Sequence, residues 1–102
     1  MQTVTRKRLE ILVDAPLVPR VVAALDAAGI GGHTILPVLS GCGRSGAWSE
    51  ERLSGAETKR VVMAIAGEAE AAALVEALAP LLDSHRLLLT IADVDVVRGD
   101  RF

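Results

Sequence analysis

Between Thr5 and Asp14 the apolar residues Leu9, Ile11 and Val13 alternate with Arg8, Glu10 and Leu12. A period of two predicts a β-strand. The run D-A-P-L-V-P then turns the chain, and Pro19 suits the first turn of a helix, where a missing N–H leaves no bond unmade. Val18, Val21, Val22 and Leu25 recur at i, i+3, i+4 and i+7, which places them on one helical face. Gly29 is the expected stop. His33 to Leu39 reads as a second strand, with Ile35 on one face and Leu36 and Val38 on the other. Pro37 lacks a ladder donor, so this strand belongs at an edge or at an irregular pairing position.

Lys59 to Ala66 (K-R-V-V-M-A-I-A) predicts a third strand, ended by Gly67. Glu68 to about Ala79 follows as an alanine-rich helix with Leu74, Val75 and Leu78 inward. Glu68 and Glu70 lie at its N-terminus, where the helix dipole favours negative charge. Pro80 disfavours helical geometry at Ala79 and is expected to end the helix there. In the last strand, Leu87 to Val97, the apolar set runs Leu87, Leu89, Ile91 and then Val94, Val96. That one-residue shift predicts a bulge near Ala92–Asp93. The resulting order, βαββαβ, is the ferredoxin-like α+β arrangement.

Two helices can cover only one face of a four-stranded sheet, and an open face should be polar. Leu12, Leu36, Val38, Leu88 and one of the Val61/Val62 pair cannot all point at the helices. The second face is therefore expected to be buried by other subunits.

Ser40 to Glu57 (S-G-C-G-R-S-G-A-W-S-E-E-R-L-S-G-A-E) breaks both periods and holds four of the nine glycines and the only tryptophan. A connection longer than about 12–15 residues is uncommon in a compact domain and is usually functional or disordered. The expectation is a small rigid scaffold that presents one long loop. Gly41, Gly43 and Gly46 let backbone N–H groups approach an anion closely. Arg44, among them, carries a fork that matches phosphate or carboxylate.

The composition narrows the classes. At 102 residues the chain is one domain's worth, read as a single domain over 1–102. A net charge of −2 argues against a general nucleic-acid surface, and 2% aromatic content removes stacking platforms for single strands. No apolar run approaches the roughly 20 residues of a membrane span, and the N-terminus does not resemble a signal peptide. One cysteine cannot form an intrachain disulfide, so a reducing cytoplasm is the natural setting. His33 and His85 lack metal-ligand spacing, and no catalytic Ser-His-Asp set is visible. Cys42 reads as an incidental small residue, since Arg44 alone is thin support for a reactive thiol.

The segment G-I-G-G-H-T-I-L-P-V-L-S-G-C-G-R-S-G, Gly29 to Gly46, resembles the passage from helix 1 into the T-loop of PII signalling proteins, whose pattern is close to G-I-T-G-x-T-x-x-x-V-x-G-x-G-R. The ending D-V-D-V-V-R-G-D-R-F is similar to PII-like proteins associated with carboxysomes and inorganic-carbon uptake. The resemblance implies a homotrimer with adenine-nucleotide sites (ADP, AMP or ATP) between subunits, a T-loop at about 40–57, regulation rather than catalysis, and no tightly bound cofactor. Three departures argue against classical nitrogen sensing. The chain has no tyrosine to modify, Ser45 replaces the family's glutamine, and L-L-D-S-H-R stands where the glycine-rich phosphate loop would be. The carbon-related branch fits better and implies bicarbonate as a second ligand.

Carried onto this sequence, the resemblance makes Gly41, Cys42, Gly43, Arg44, Arg86, Arg98 and Arg101 the nucleotide-binding candidates. Arg86 is equally well a solvated turn residue. Bicarbonate would sit at Gly43, Arg44 and Ser45, held by N–H donors and a guanidinium. Arg44, Trp48, Glu50 and Arg52 would meet a protein partner, a membrane transporter or a carboxysome-linked protein. Trp48 is either a binding hot spot or an anchor folding the loop back on its own trimer. The alternatives are a classical nitrogen-regulatory PII-type sensor, a slow nucleotide hydrolase, and a metal-binding trimer of the divalent-cation-tolerance kind using His33, His85 or Cys42.

Overall fold

A computed structural model describes residues 2–43, 46–49 and 58–97. Strand β1 (Thr3–Asp14) leads through a 3-10 turn at Ala15–Leu17 into helix α1 (Val18–Ala27). Strands β2 (Thr34–Pro37), β3 (Ser40–Gly43), β4 (Gly46–Ser49) and β5 (Lys59–Ala66) follow, then helix α2 (Glu68–Ser84) and strand β6 (Leu88–Val97). The main sheet has the order β2-β5-β1-β6, all antiparallel, with both helices on one face. This is the ferredoxin-like α+β fold expected from the element order.

Helix α1 begins with Pro19 near its start and stops at Gly29, whose φ of 81° is open to glycine and costly for a residue with a Cβ. Leu9, Ile11 and Val13 of β1 and Val62, Ala64 and Ala66 of β5 meet Val21, Leu25, Leu74, Leu78 and Leu81 in one core. The small Ala64 and Ala66 leave room for the bulkier helix residues above them.

Three expectations are corrected. Helix α2 does not stop at Ala79: it runs through Pro80 to Ser84. Leu81 continues the buried stripe of Leu74 and Leu78, and Pro80 itself faces solvent, so packing outweighs one forfeited bond on the wet side. The Ser84 hydroxyl donates to the Pro80 carbonyl at 2.9 Å, and the His85 N–H to that of Leu81 at 2.9 Å. Nor is there a bulge at Ala92–Asp93, because the β1–β6 register runs without interruption from Thr3↔Val97 to Leu12↔Leu88. What changes is the face that is apolar. Leu89 and Ile91 stand on the helix side, whereas Val94 and Val96 stand on the other. Asp93 and Asp95 take the helix-side positions beyond the core, opposite Lys7 and Thr5. Finally, the second strand is shorter than His33–Leu39, and the long loop opens with a ribbon in which β3 pairs with β4, Gly41 opposite Trp48.

The Lys7 ammonium lies 2.5 Å from the Asp93 carboxylate. Their hydrogen bond, reinforced by charge attraction, raises the Lys7 pKa above its usual 10.5. A raised lysine pKa contributes stability that is fully present below the unfolded value and is lost as pH climbs through the folded one. Thus an Asp93→Asn variant should be less stable than the parent at neutral pH, and the gap should close above about pH 10.5. Urea melts of both proteins across that range would check this.

The second face matches the oligomer argument. Register places Leu36, Val61, Leu12 and Leu88 side by side, one apolar residue on each strand. Leu36 is 43% and Leu88 58% exposed in the single chain. Val62, by contrast, belongs to the core.

Candidate functional site

Strand β5 is twice as long as β2, and that mismatch makes the site. Pairing with β2 ends at Thr34↔Met63, whereas β5 continues to Ala66. Along Ala64–Ala66 it therefore has β1 on one side and, among the described residues, no strand on the other. Backbone groups on an unpaired strand edge alternate toward the open side, offering both donors and acceptors.

A cleft of about 770 Å³ lies along this edge. Its floor is Met63 to Gly67, and its rim is the Gly29–Thr34 segment, in which Gly31, Gly32 and His33 are exposed. Arg6 and Glu70 also line it. The Arg6 guanidinium donates to the Thr5 carbonyl at 3.1 Å. The cleft thus combines a backbone edge, apolar Ile30 and Met63, and two opposite charges. Such a mix suits a flat, polar-edged heterocycle better than a purely apolar ligand.

Among the described residues, none of the nucleotide-, bicarbonate- or partner-binding candidates chosen from sequence lines this cleft; of the residues named for the metal-binding alternative, His33 does. Gly41, Cys42 and Gly43 stand on β3, beyond the opposite end of β2, with Cys42 exposed. Arg86 is exposed in the connection from α2 to β6, also at that end, because Leu88 pairs with Leu12. Trp48 lies on β4. Arg44, Ser45, Glu50, Arg52, Arg98 and Arg101 lie outside the described residues. Strand β6 ends at Val97, opposite Thr3, some nine residue steps from the Leu12↔Leu88 pair. At about 3.3 Å per residue, the strand end that leads into Arg98 is about 30 Å from the end that carries β3.

The long loop is tied where it returns to the sheet. The Ala15 N–H donates to the Thr58 carbonyl at 2.7 Å, and Thr58 is buried. Lys59 pairs with Asp14 at 2.5 Å across the β1–β5 register. Thr58 and Lys59 are thereby fixed to the end of β1. Among the described residues there is no group of three or more His, Cys, Asp or Glu side chains that could hold a metal. Nor is any described helix long and apolar enough to cross a membrane.

The family model for nitrogen regulatory protein P-II matches residues 6–101. The chain belongs to the P-II family. Among solved structures, it is similar to the PII-like protein CPII of Thiomonas intermedia bound to ADP, AMP and bicarbonate. Identity is 25%, the TM-score is 0.89, and the match covers 99% of this chain and 96% of that one. The same Thiomonas protein bound to ADP and bicarbonate aligns at 26% identity and a TM-score of 0.87, over 99% and 97% of the two chains. A putative PII-like signaling protein of Thermus thermophilus shares the fold, at 22% identity and a TM-score of 0.82 over 100% and 99%. No curated protein matches the chain in sequence.

The cleft was missed by sequence reasoning although it adjoins the motif that reveals the P-II family. The Gly31–Gly32 pair just before the short β2 was the available signal. Its residues carry little side-chain chemistry, and what they expose is backbone.

Proposed function

We propose that the protein is a trimeric PII-like regulator that binds ADP, AMP or ATP in clefts between subunits, together with bicarbonate, and acts by binding rather than catalysis. One observation carries this reading. An open cleft along an unpaired strand edge occurs in a P-II family chain whose Thiomonas relative is held with ADP, AMP and bicarbonate. The base would lie against the Ala64–Ala66 edge. The phosphates would reach toward the Gly41–Arg44 stretch and Arg86, met by Arg98 and Arg101 of a neighbouring copy. Bicarbonate would be held at Gly43, Arg44 and Ser45.

The apolar row Leu36–Val61–Leu12–Leu88 supports assembly, because a monomer would leave it wet. Ligand binding would favour one state of residues 40–57 over another, and that loop, through Arg44, Trp48, Glu50 and Arg52, would engage a cytoplasmic face of an inorganic-carbon transporter or a carboxysome-linked protein. Such coupling needs a ligand with different affinities for the two loop states. It is usually worth about 1–3 kcal/mol.

Isothermal titration with ADP, AMP and ATP, each with and without bicarbonate, tests the reading. Nucleotide binding tightened by bicarbonate is expected. Nucleotide binding indifferent to bicarbonate would remove the carbon-sensing half of the proposal, and no nucleotide binding would remove all of it.

A further inference from the structure

Gly67 has φ −72° and ψ 169°, a conformation that any residue adopts, so its backbone does not require glycine. What glycine permits there is a close approach. A Cβ added at Gly67 would stand 2.9 Å from one Glu70 carboxylate oxygen, 3.4 Å from the other and 3.5 Å from the carboxyl carbon. The Glu70 carboxylate is thus folded back over Gly67, half-buried, in the wall of the cleft. It brings an acceptor-only group to a site whose other charged wall residue, Arg6, donates to the Thr5 carbonyl.

Resting on the reading of the cleft as a nucleotide site, we propose that Glu70 selects the base: held by the missing Cβ of Gly67, its carboxylate accepts from an exocyclic amine and repels a carbonyl at that position. Adenine presents an amine donor on its six-membered ring. Hypoxanthine and guanine present a carbonyl oxygen at the same place, and a carboxylate facing that oxygen leaves two acceptors without a proton between them. Binding that covers a charged acceptor discriminates strongly, because the wrong ligand takes that group out of water and leaves it without a donor. The Ala64–Ala66 backbone edge alone, with donors and acceptors both available, would discriminate less.

The test compares ADP with IDP, which carries a carbonyl in place of the exocyclic amine and an N–H in place of the neighbouring ring acceptor. The full-length protein is expected to prefer ADP by about 10-fold or more, on the scale of one charge-assisted hydrogen bond. Glu70→Gln keeps the shape and supplies an amide that can donate, so the preference should fall to within about threefold, with assembly and melting temperature close to the parent's. Gly67→Ala is the positional control. It leaves the Glu70 charge in place and displaces only the end of a flexible side chain, yet it should reduce the ADP preference in the same direction. A parent that binds neither nucleotide would overturn the nucleotide reading itself. A parent that binds ADP, with both variants keeping its ADP-to-IDP ratio, would overturn the role of Glu70 and leave the nucleotide reading standing.

Discussion

Replacing Val61 with aspartate is expected to convert the proposed trimer into folded monomers and to abolish ADP binding at the same time. Val61 sits between Leu12 and Leu36 on the face away from the helices, with Leu88 completing the row. It makes no part of the core, whereas its neighbour Val62 is fully buried there. A carboxylate at position 61 should therefore leave the helix-covered side intact. In an assembly that buries the row, each copy would instead carry an uncompensated charge into an apolar contact, at a cost of several kcal/mol. The free monomer avoids that cost by keeping the carboxylate in water. Size-exclusion chromatography with light scattering should give the monomer mass, with circular dichroism matching the parent. A variant that keeps the parent's oligomeric mass would show that this face is not the interface.

Arg98→Ala is the second large effect, a loss of ADP affinity of about 10- to 100-fold with assembly unchanged. The magnitude is that of one or two charge-assisted hydrogen bonds to phosphate. The proposed placement rests on where the described part of β6 ends. Strand β6 ends at Val97 beside Thr3, far from the end of β2 that leads to Gly41–Gly43. In the proposed trimer the two would reach one nucleotide from different copies. Titration of the variant by calorimetry decides it, and ADP bound as tightly as by the parent would sink the phosphate role of Arg98.

The element order was legible because each strand and helix carries its own period. Lys59–Ala66 is found with the boundaries that its composition implies, and Gly29 ends α1 as its left-handed φ requires. The missing cover on the second face was legible too, since Leu12, Leu36 and Leu88 have no helix to meet. Local rules failed where tertiary packing overrode them. Pro80 breaks an isolated helix, but here Leu81 is drawn into the core and carries the helix past it. The switch from Ile91 to Val94 looked like a change in backbone register, because sequence alone cannot separate a bulge from an apolar demand that moves to the other face. The β3–β4 ribbon was hidden by its glycines and serines, which give no alternation of apolar residues to read. The cleft was hidden for a related reason. Its chemistry lies in the unpaired backbone of Ala64–Ala66, a consequence of unequal strand lengths rather than of any reactive side chain. Glu70 looked like a helix-dipole residue, and only its approach to Gly67 marks it as part of the wall.

In the proposed assembly the nucleotide site exists only between copies. Native mass spectrometry of the parent protein with increasing ADP reads assembly and occupancy in one spectrum. Trimers carrying up to one ADP per subunit, alongside monomers that remain bare at every ADP concentration, are the predicted result. Monomers that carry ADP, or trimers that stay empty at saturating ADP, would contradict it.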